Sequence, residues 1–189
     1  MDCDVTDCER CPALVDSRSR IVNGVGPADA DLLFVGEGPG EHEDERGEPF
    51  VGRSGDVLDE GLRSAGLARA DVRITNCVRC RPPDNRDPRA SELGNCRGHL
   101  RTELAAVDPV LVVALGKVPA EHLLGREVPV TSAAGTVHEA DLDTARRVLV
   151  CVHPAATLYD RSQAETFESA LVTAADYAGD GGQSTFGDF

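Results

Sequence analysis

Leu32-Leu33-Phe34-Val35-Gly36-Glu37-Gly38-Pro39-Gly40 is a short apolar run that ends in a glycine-rich turn, and it sets the fold class of the chain. Four consecutive apolar residues read as a buried strand. The glycines after them let the backbone turn sharply and come close to whatever sits above the strand end. Carboxylates follow, and then Gly47-Glu48-Pro49-Phe50-Val51-Gly52-Arg53-Ser54-Gly55, so the segment reads as one continuous strand-to-helix unit. The chain has five Phe, two Tyr and no Trp. Among so few aromatics Phe50 stands out, because a flat heterocycle above the strand end could stack on it.

Working outward, strand candidates fall at 31–36, 72–76, 109–115 and 147–152. Helical stretches separate them. Leu58, Leu62 and Ala65 share a face in a helix starting near Ser54; Leu93, Cys96, Leu100 and Leu104 share one in a longer helix near 90–106. Pro119 to Leu124 gives a short helix and Gln163 to Ala178 the last. This alternation is that of an α/β chain: a three-layer α/β/α sandwich around a central, mostly parallel four-stranded sheet. Residues 1–29 show little periodicity and read as an irregular arm that needs a staple. The expected division is a single domain over 1–178 and a flexible tail over 179–189 that starts at Gly179-Asp180-Gly181-Gly182.

With 189 residues the chain has enough length for one full core. No stretch approaches the roughly 20 apolar residues of a membrane span, and Met1-Asp2-Cys3-Asp4 lacks the basic start of a signal peptide. The expectation is a cytoplasmic monomer with no membrane partner. Seven cysteines in a reducing compartment argue for metal ligation or catalysis before disulfides. The formal charge of −14 works against phosphate binding, which draws its strength from Lys and Arg. All but one of the nineteen basic residues are arginine, Lys117 being the exception, against 33 acidic ones, a balance that resembles proteins of salt-loving organisms. Near molar salt the Debye length is about 3 Å, and diffuse repulsion from an acidic surface nearly vanishes.

Three polar side chains sit at the carboxyl ends of separate strand candidates: Glu37, Asn76 and His153. In an open parallel sheet those ends share one edge, where ligands bind. Each alone has a duller reading, as a cap, a turn residue or a surface histidine. Together with Phe50 they describe a pocket for a pyrimidine: a stacking face, an amide matching an imide edge, a donor to a carbonyl gaining charge, and a carboxylate. Cleaving an N-glycosidic bond needs an oxocarbenium-like sugar and a departing base anion to be stabilised, which a carboxylate and a histidine donor can do.

The run Gly36-Glu37-Gly38-Pro39-Gly40-Glu41-His42-Glu43-Asp44, the Gly47-x-Pro49-Phe50-Val51-Gly52 element, Thr75-Asn76, Cys80-Arg81-Pro82-Pro83-x-Asn85-Arg86 and His153-Pro154-Ala155 together resemble a family 4 uracil-DNA glycosylase. The likeness runs in register from about Cys8 past His153. It implies removal of uracil from single- or double-stranded DNA, leaving an abasic site. It also implies uracil binding by Gly36, Glu37, Gly38, Phe50, Asn76 and His153, with Glu37 and His153 as the catalytic pair. Glu43 and Asp44 are reserve carboxylates. Better-known uracil glycosylases carry a catalytic aspartate where this chain has Gly38, so the identity of the acting carboxylate stays open. Lyase chemistry is not expected, since Lys117 stands outside the pocket motifs.

Cys8-x-x-Cys11 forms one cysteine pair, and Cys80 and Cys96, with fifteen residues between them, form another. Four thiolates suit zinc or a 4Fe–4S cluster, and spacing does not choose. The resemblance does: it implies a 4Fe–4S cluster on Cys8, Cys11, Cys80 and Cys96, stapling the arm. Cys3 and Cys77 are rivals nearby in sequence, and Cys151 reads as core. Arg79, Arg81, Asn85, Arg86 and Arg89 make a basic loop stiffened by Pro82, Pro83 and Pro88. Its functional reading is phosphate contact by Arg81, Asn85 and Arg86, and the alternative is an arginine face paired with Glu92 and neighbouring carboxylates. After His153, Leu158 is placed to press into the duplex where the base leaves it, which offsets part of the few kcal/mol of extrusion. In the tail, Gln183, Phe186 and Phe189 resemble the spacing of a sliding-clamp-binding peptide. Two other classes fit parts of the pattern: a metal-stapled nucleotide-binding or adaptor module without catalysis, and an iron–sulfur electron carrier.

Overall fold

The structure is a computed structural model that describes residues 3–142 and 145–179. In chain order the elements are α1 (Pro12–Ser17), β1 (Leu32–Gly36), α2 (Glu41–Arg46), α3 (Arg53–Ser64), β2 (Arg73–Asn76), α4 (Ala90–Val107), β3 (Leu111–Leu115), α5 (Lys117–Leu124), α6 (Val130–Ala133), β4 (Val137–Asp141), β5 (Ala145–Cys151) and α7 (Arg161–Gly179). Short 3-10 turns occupy Arg69–Asp71, Pro83–Asn85 and Pro154–Leu158. The sheet has five strands in the order β2-β1-β3-β5-β4. The first four are mutually parallel, and β4 runs antiparallel to β5.

The expected four strands are present, and β4 is the addition. Val137-His138-Glu139-Ala140-Asp141 lacks a clean apolar alternation because it is an edge strand on which only Ala140 is buried. Charged, half-exposed edge strands protect a sheet from pairing with another chain, and they leave little hydrophobic signal. The segment after β1 also differs from the expected single strand-to-helix unit. Glu41-His42-Glu43-Asp44-Glu45-Arg46 forms the separate helix α2. Its acidic first turn and Arg46 in its last turn complement the helix dipole, Glu43 accepts from the Gly40 N–H, and Gly47 ends it at φ 82°.

Alternation along β1 divides the core in two. Leu32 and Phe34 join Leu58 and Leu62 of α3 and Phe167 and Leu171 of α7 on one face. Leu33 and Val35 join Leu100 and Leu104 of α4 and Ala120 and Leu123 of α5 on the other. Continuous burial of both faces explains why β1 and β3 are unbroken apolar runs. The arm carries α1 and runs beside the sheet edge, where Val25 and Ile74 exchange backbone hydrogen bonds of 2.9 and 2.8 Å.

A buried ion-pair chain holds arm, sheet and α4 together. Glu103 of α4, fully buried, accepts from Arg73 Nε at 2.8 Å and from Arg79 Nη2 at 2.6 Å. Arg79 Nη1 donates to Asn23 Oδ1 at 3.0 Å, and Asn23 in turn brackets the Val5 backbone through bonds of 2.9 and 3.1 Å. Arg79 is therefore a core residue and no part of the basic loop surface.

Candidate active site

From β1 the chain goes to its neighbour β2 and then crosses to β3 on the other side of β1, so the order of strands reverses at β1. The carboxyl ends next to such a reversal are where open α/β sheets leave a crevice. A cavity of about 190 Å³ lies there, lined by Glu37, Gly38, Gly40, Glu43, Phe50, Ser54, Asn76 and His153. That is below the roughly 300–1,000 Å³ of sites for drug-sized ligands and suits a single nucleobase. Glu37, Gly38, Phe50, Asn76 and His153, read from separate segments of sequence, thus line one cavity.

Gly36 and Asn76 face each other in register across β1 and β2. A side chain at Gly36 would strike Asn76 Oδ1 and come within 2.5 Å of the Phe50 ring. Glycine at 36 therefore lets the amide and the ring lie over the strand end. The Asn76 side chain is buried and forms no hydrogen bond with the described residues, which leaves its donor and acceptor for a ligand.

Phe50 is buried and has φ 53°, left-handed backbone that a bulky residue seldom adopts. Glu43 holds it there: Oε1 accepts from Val51 N–H at 3.1 Å and Gly52 N–H at 3.2 Å, while Oε2 accepts from Gly40 N–H at 3.0 Å. One carboxylate ties both glycine-rich loops together. Asp44 points the other way, and accepts from the Ser19 backbone at 2.9 and 2.8 Å to fix the arm. It does not line the cavity.

His153 begins the 3-10 turn after β5, and its Nδ1 accepts from the Ala155 N–H at 3.1 Å. Nε2 then carries the proton and is a donor. Burial pulls its pKa below the usual histidine value, against the opposing pull of Glu43, so the ring is held neutral. Gly116, at φ 105° after β3, leaves room for it: a Cβ there would sit 3.1 Å from the His153 Cβ. Glu37 is half-buried, and burial, helped by Asp87, raises its carboxyl above the ordinary range. A raised carboxylate is a better base.

A smaller cleft of about 90 Å³ continues from Glu37, Gly38 and Gly40 to Pro82, Asn85 and Arg86, so the basic loop borders the cavity. Asp84 and Asn85 have φ 55° and 53°. Arg81 Nε donates to Asn85 Oδ1 at 2.7 Å. Arg86 forks onto Glu92 with bonds of 2.8 and 2.7 Å, which lowers the Glu92 pKa. The carboxylate pairing read from the sequence thus holds for Arg86 with Glu92 and, at 3.9 Å, for Arg81 with Glu41, while Arg81 also bonds Asn85. Leu158 is 46% exposed at the end of the turn that His153 starts. Ser54, Gly40 and Tyr159 were not singled out from the sequence; a serine or glycine beside a helix start carries no signal that separates a ligand contact from a cap. Gln183, Phe186 and Phe189 lie outside the described residues.

Among the proposed thiols, Cys8 and Cys11 act electrostatically on Cys80, and Cys80 and Cys11 on Cys96. Burial raises the pKa of Cys80, partly opposed by the Arg18 guanidinium that donates to it, and the neighbouring Cys8 and Cys11 add to the rise. Cys96 is pushed up to about 11, again by burial first, with Cys80 and Cys11 contributing. Arg18 Nη1 donates to Cys80 Sγ at 3.0 Å and Asn95 Nδ2 to Cys11 Sγ at 3.4 Å. Among the described residues no three His, Cys, Asp or Glu side chains could hold a single metal ion. An all-sulfur set with hydrogen-bond donors aimed at the sulfurs fits a soft-metal cluster. Cys3 lies instead with Glu103, Arg73 and Arg79; Cys77 is buried beside Glu37 and Cys96, and Cys151 is core. No described helix is long and apolar enough to cross a membrane.

Residues 23–175 match the family model described as the uracil DNA glycosylase superfamily. A type-4 uracil-DNA glycosylase of Archaeoglobus fulgidus is 39% identical, over 88% of this chain and 85% of the relative. One from Thermotoga maritima is 40% identical over 84% of this chain and 81% of its own length, and one from Pyrobaculum aerophilum 37% identical over 82% and 81%. A match across most of the domain, with the cavity at the strand ends inside it, settles the relationship: the chain belongs to the uracil DNA glycosylase superfamily.

Proposed function

We propose that this chain removes uracil from DNA by hydrolysis, leaving an abasic site, and that the cavity at the strand ends holds the extruded base. The observation that carries this reading is the joint lining by Glu37, Phe50, Asn76 and His153. Phe50 stacks on the ring, and Asn76 matches the imide edge. Cytosine, with an amine at the 4-position, meets the wrong partner there. As the bond from sugar C1′ to the base nitrogen breaks, its electron pair moves onto the ring, and the neutral His153 donates from Nε2 to the carbonyl oxygen that gains the charge. Water adds to C1′ and gives its proton to Glu37, whose carboxylate also offsets the sugar cation. Gly36 and Gly38 let the backbone approach the base. Arg81, Asn85 and Arg86 border the path of the strand, with Leu158 as the wedge.

Cys8, Cys11, Cys80 and Cys96 would hold a 4Fe–4S cluster, which supplies a structural cross-link between the arm and α4. Arg18 and Asn95 orient the sulfurs. The tail residues Gln183, Phe186 and Phe189 would dock on a sliding clamp; deleting 183–189 should abolish clamp pull-down and spare excision. The deciding experiment for the whole reading is incubation with a uracil-containing oligonucleotide followed by alkali. Scission at the uracil only after protein treatment is expected, whereas intact strands with retained binding would mark a nucleotide-binding module without catalysis.

A further inference from the structure

A second groove adjoins the uracil cavity. Its volume is about 390 Å³, and it is lined by Arg53, Asp56, Val57 and Glu60 of α3 and by Leu158 and Tyr159. The two sites share a rim, since Ser54 lines the first and its neighbour Arg53 the second. Only three large apolar or aromatic side chains are exposed among the described residues: Leu158 at 46%, Tyr159 at 85% and Val172 at 49%. Two of the three are consecutive and stand on this groove.

The wall that carries them is rigid. Residues 154–158 form one 3-10 turn in which the Ala156 N–H donates to His153 O at 2.9 Å and Thr157 Oγ1 to Pro154 O at 2.8 Å. The Tyr159 N–H donates back to Ala156 O at 3.3 Å. These bonds hold the backbone from His153 to Tyr159, while the Tyr159 ring itself is 85% exposed. Chemistry selects the occupant. Two carboxylates, Asp56 and Glu60, outnumber the single guanidinium of Arg53, which disfavours a phosphate. Val57 and Leu158 supply an apolar floor and Tyr159 a flat face, which suit an unstacked base whose edge carries amino and carbonyl groups.

We infer that this groove seats the nucleobase next to the extruded uracil, with Tyr159 as its stacking plate. The inference rests on the excision reading and adds a second base site to it. It requires the flanking base to leave its own stack, so the groove acts on single-stranded or locally opened DNA. Tyr159 is a positioning residue: it fixes the strand so that the uracil sugar arrives in register with Glu37.

The test uses the whole chain and single-stranded oligonucleotides that carry a non-hydrolysable 2′-fluoro-deoxyuridine. Replacing the base on one side of it by an abasic unit should weaken binding about tenfold, in line with base–aromatic stacking. Tyr159→Ala should weaken binding of the intact strand by a similar factor and erase the dependence on the flank, and Tyr159→Phe should keep both. The chain has no Trp and two Tyr. Tyr177, the other one, is half-buried beside Arg147, 5.9 Å from its ring centroid, so quenching of tyrosine emission by the oligonucleotide should come from Tyr159 and vanish in Tyr159→Ala. Uracil-dependent binding that ignores both the flank and the Tyr159→Ala change overturns this inference alone. Binding that does not distinguish uracil from thymine at the target position overturns the excision reading, and this inference with it.

Discussion

The rings of Phe50 and His153 stand 6.1 Å apart, centroid to centroid, tilted by 32°. They come from the two ends of the domain, one from the loop before α3 and the other from the turn after β5. Phe50 is held in left-handed backbone, and the restraint is Glu43, which accepts three backbone N–H bonds from both loops. Strain of this kind persists only where the surroundings overdetermine it, and it gathers at functional sites.

Glu43→Ala should free the Val51 and Gly52 N–H groups and let Phe50 relax away from His153. A misplacement of about 1 Å can cost on the order of 100-fold in rate, and a loss of that order in single-turnover excision is expected. Glu43→Gln keeps a carbonyl acceptor and should recover part of it. Equal losses in the two variants would instead mark Glu43 as a carboxylate that takes part in the chemistry.

In the proposed mechanism His153 acts as a neutral donor, and the pH dependence that follows has a definite sign. Its pKa lies below the usual 6.5, because burial disfavours the charged ring. Glu37, needed as a carboxylate, has a pKa above the usual 4.5. Excision should therefore rise with pH on an acid limb, as His153 loses its proton and Glu37 its own, and level off once both are deprotonated. His153→Gln cannot titrate, so its limb should reflect Glu37 alone. His153→Ala should lower kcat by about 10²–10³, the usual cost of losing one donor to a developing oxyanion, with DNA binding nearly intact. A rate that falls as the pH rises through 7 would contradict the neutral form.

Four strands, four helices and the cavity residues Glu37, Phe50, Asn76 and His153 were legible because they depend on local signals: apolar runs buried on both faces, helical spacing, and polar or aromatic residues at strand ends and in the glycine-rich loops. β4 and the short helices α1, α2 and α6 were not, for a common reason. None buries a full apolar face: only Leu14 of α1 and no residue of α6 is buried, while β4 is stabilised by pairing with β5 and α2 by its caps and dipole. Glu103 was invisible as well. A glutamate in a helix reads as exposed, and only the fold brings Arg73 and Arg79 to it from other segments. Arg79 shows the converse error, a basic residue in a basic loop that the core consumes.

Gly36→Ala tests the packing of the pocket floor. The added methyl meets Asn76 Oδ1 and the Phe50 ring, both on the cavity side. Overpacking of this kind typically costs about 1–3 kcal/mol, and the flexible amide will yield first. The protein should stay folded, with a modestly lowered melting temperature, and lose most uracil excision. Activity near the wild-type level would show that Asn76 need not lie over the strand end.

If Cys8, Cys11, Cys80 and Cys96 hold the proposed cluster, removing its iron by oxidation and chelation should release the segment around Cys8 and Cys11 and leave the sheet intact. Limited proteolysis should then cut near residues 8–18, while far-ultraviolet circular dichroism changes little. Loss of the whole sheet signal would make the cluster a requirement for the domain fold.

The arm has a second anchor that does not depend on the thiols. Glu103 bonds Arg73 and Arg79, and Arg79 leads through Asn23 to Val5, so removing the carboxylate leaves two guanidinium groups buried without their partner. Breaking a buried pair in this way costs about 3–5 kcal/mol, a large part of the usual stability of a domain. Glu103→Ala should therefore lower the denaturation midpoint sharply. Glu103→Met with Arg73→Met and Arg79→Leu, which replaces all three charges by apolar groups of similar volume, should recover most of the loss. If the triple variant is as unstable as Glu103→Ala, the network contributes more than charge neutralisation, and the Asn23 link to Val5, cut by the loss of Arg79, would be the part to vary next.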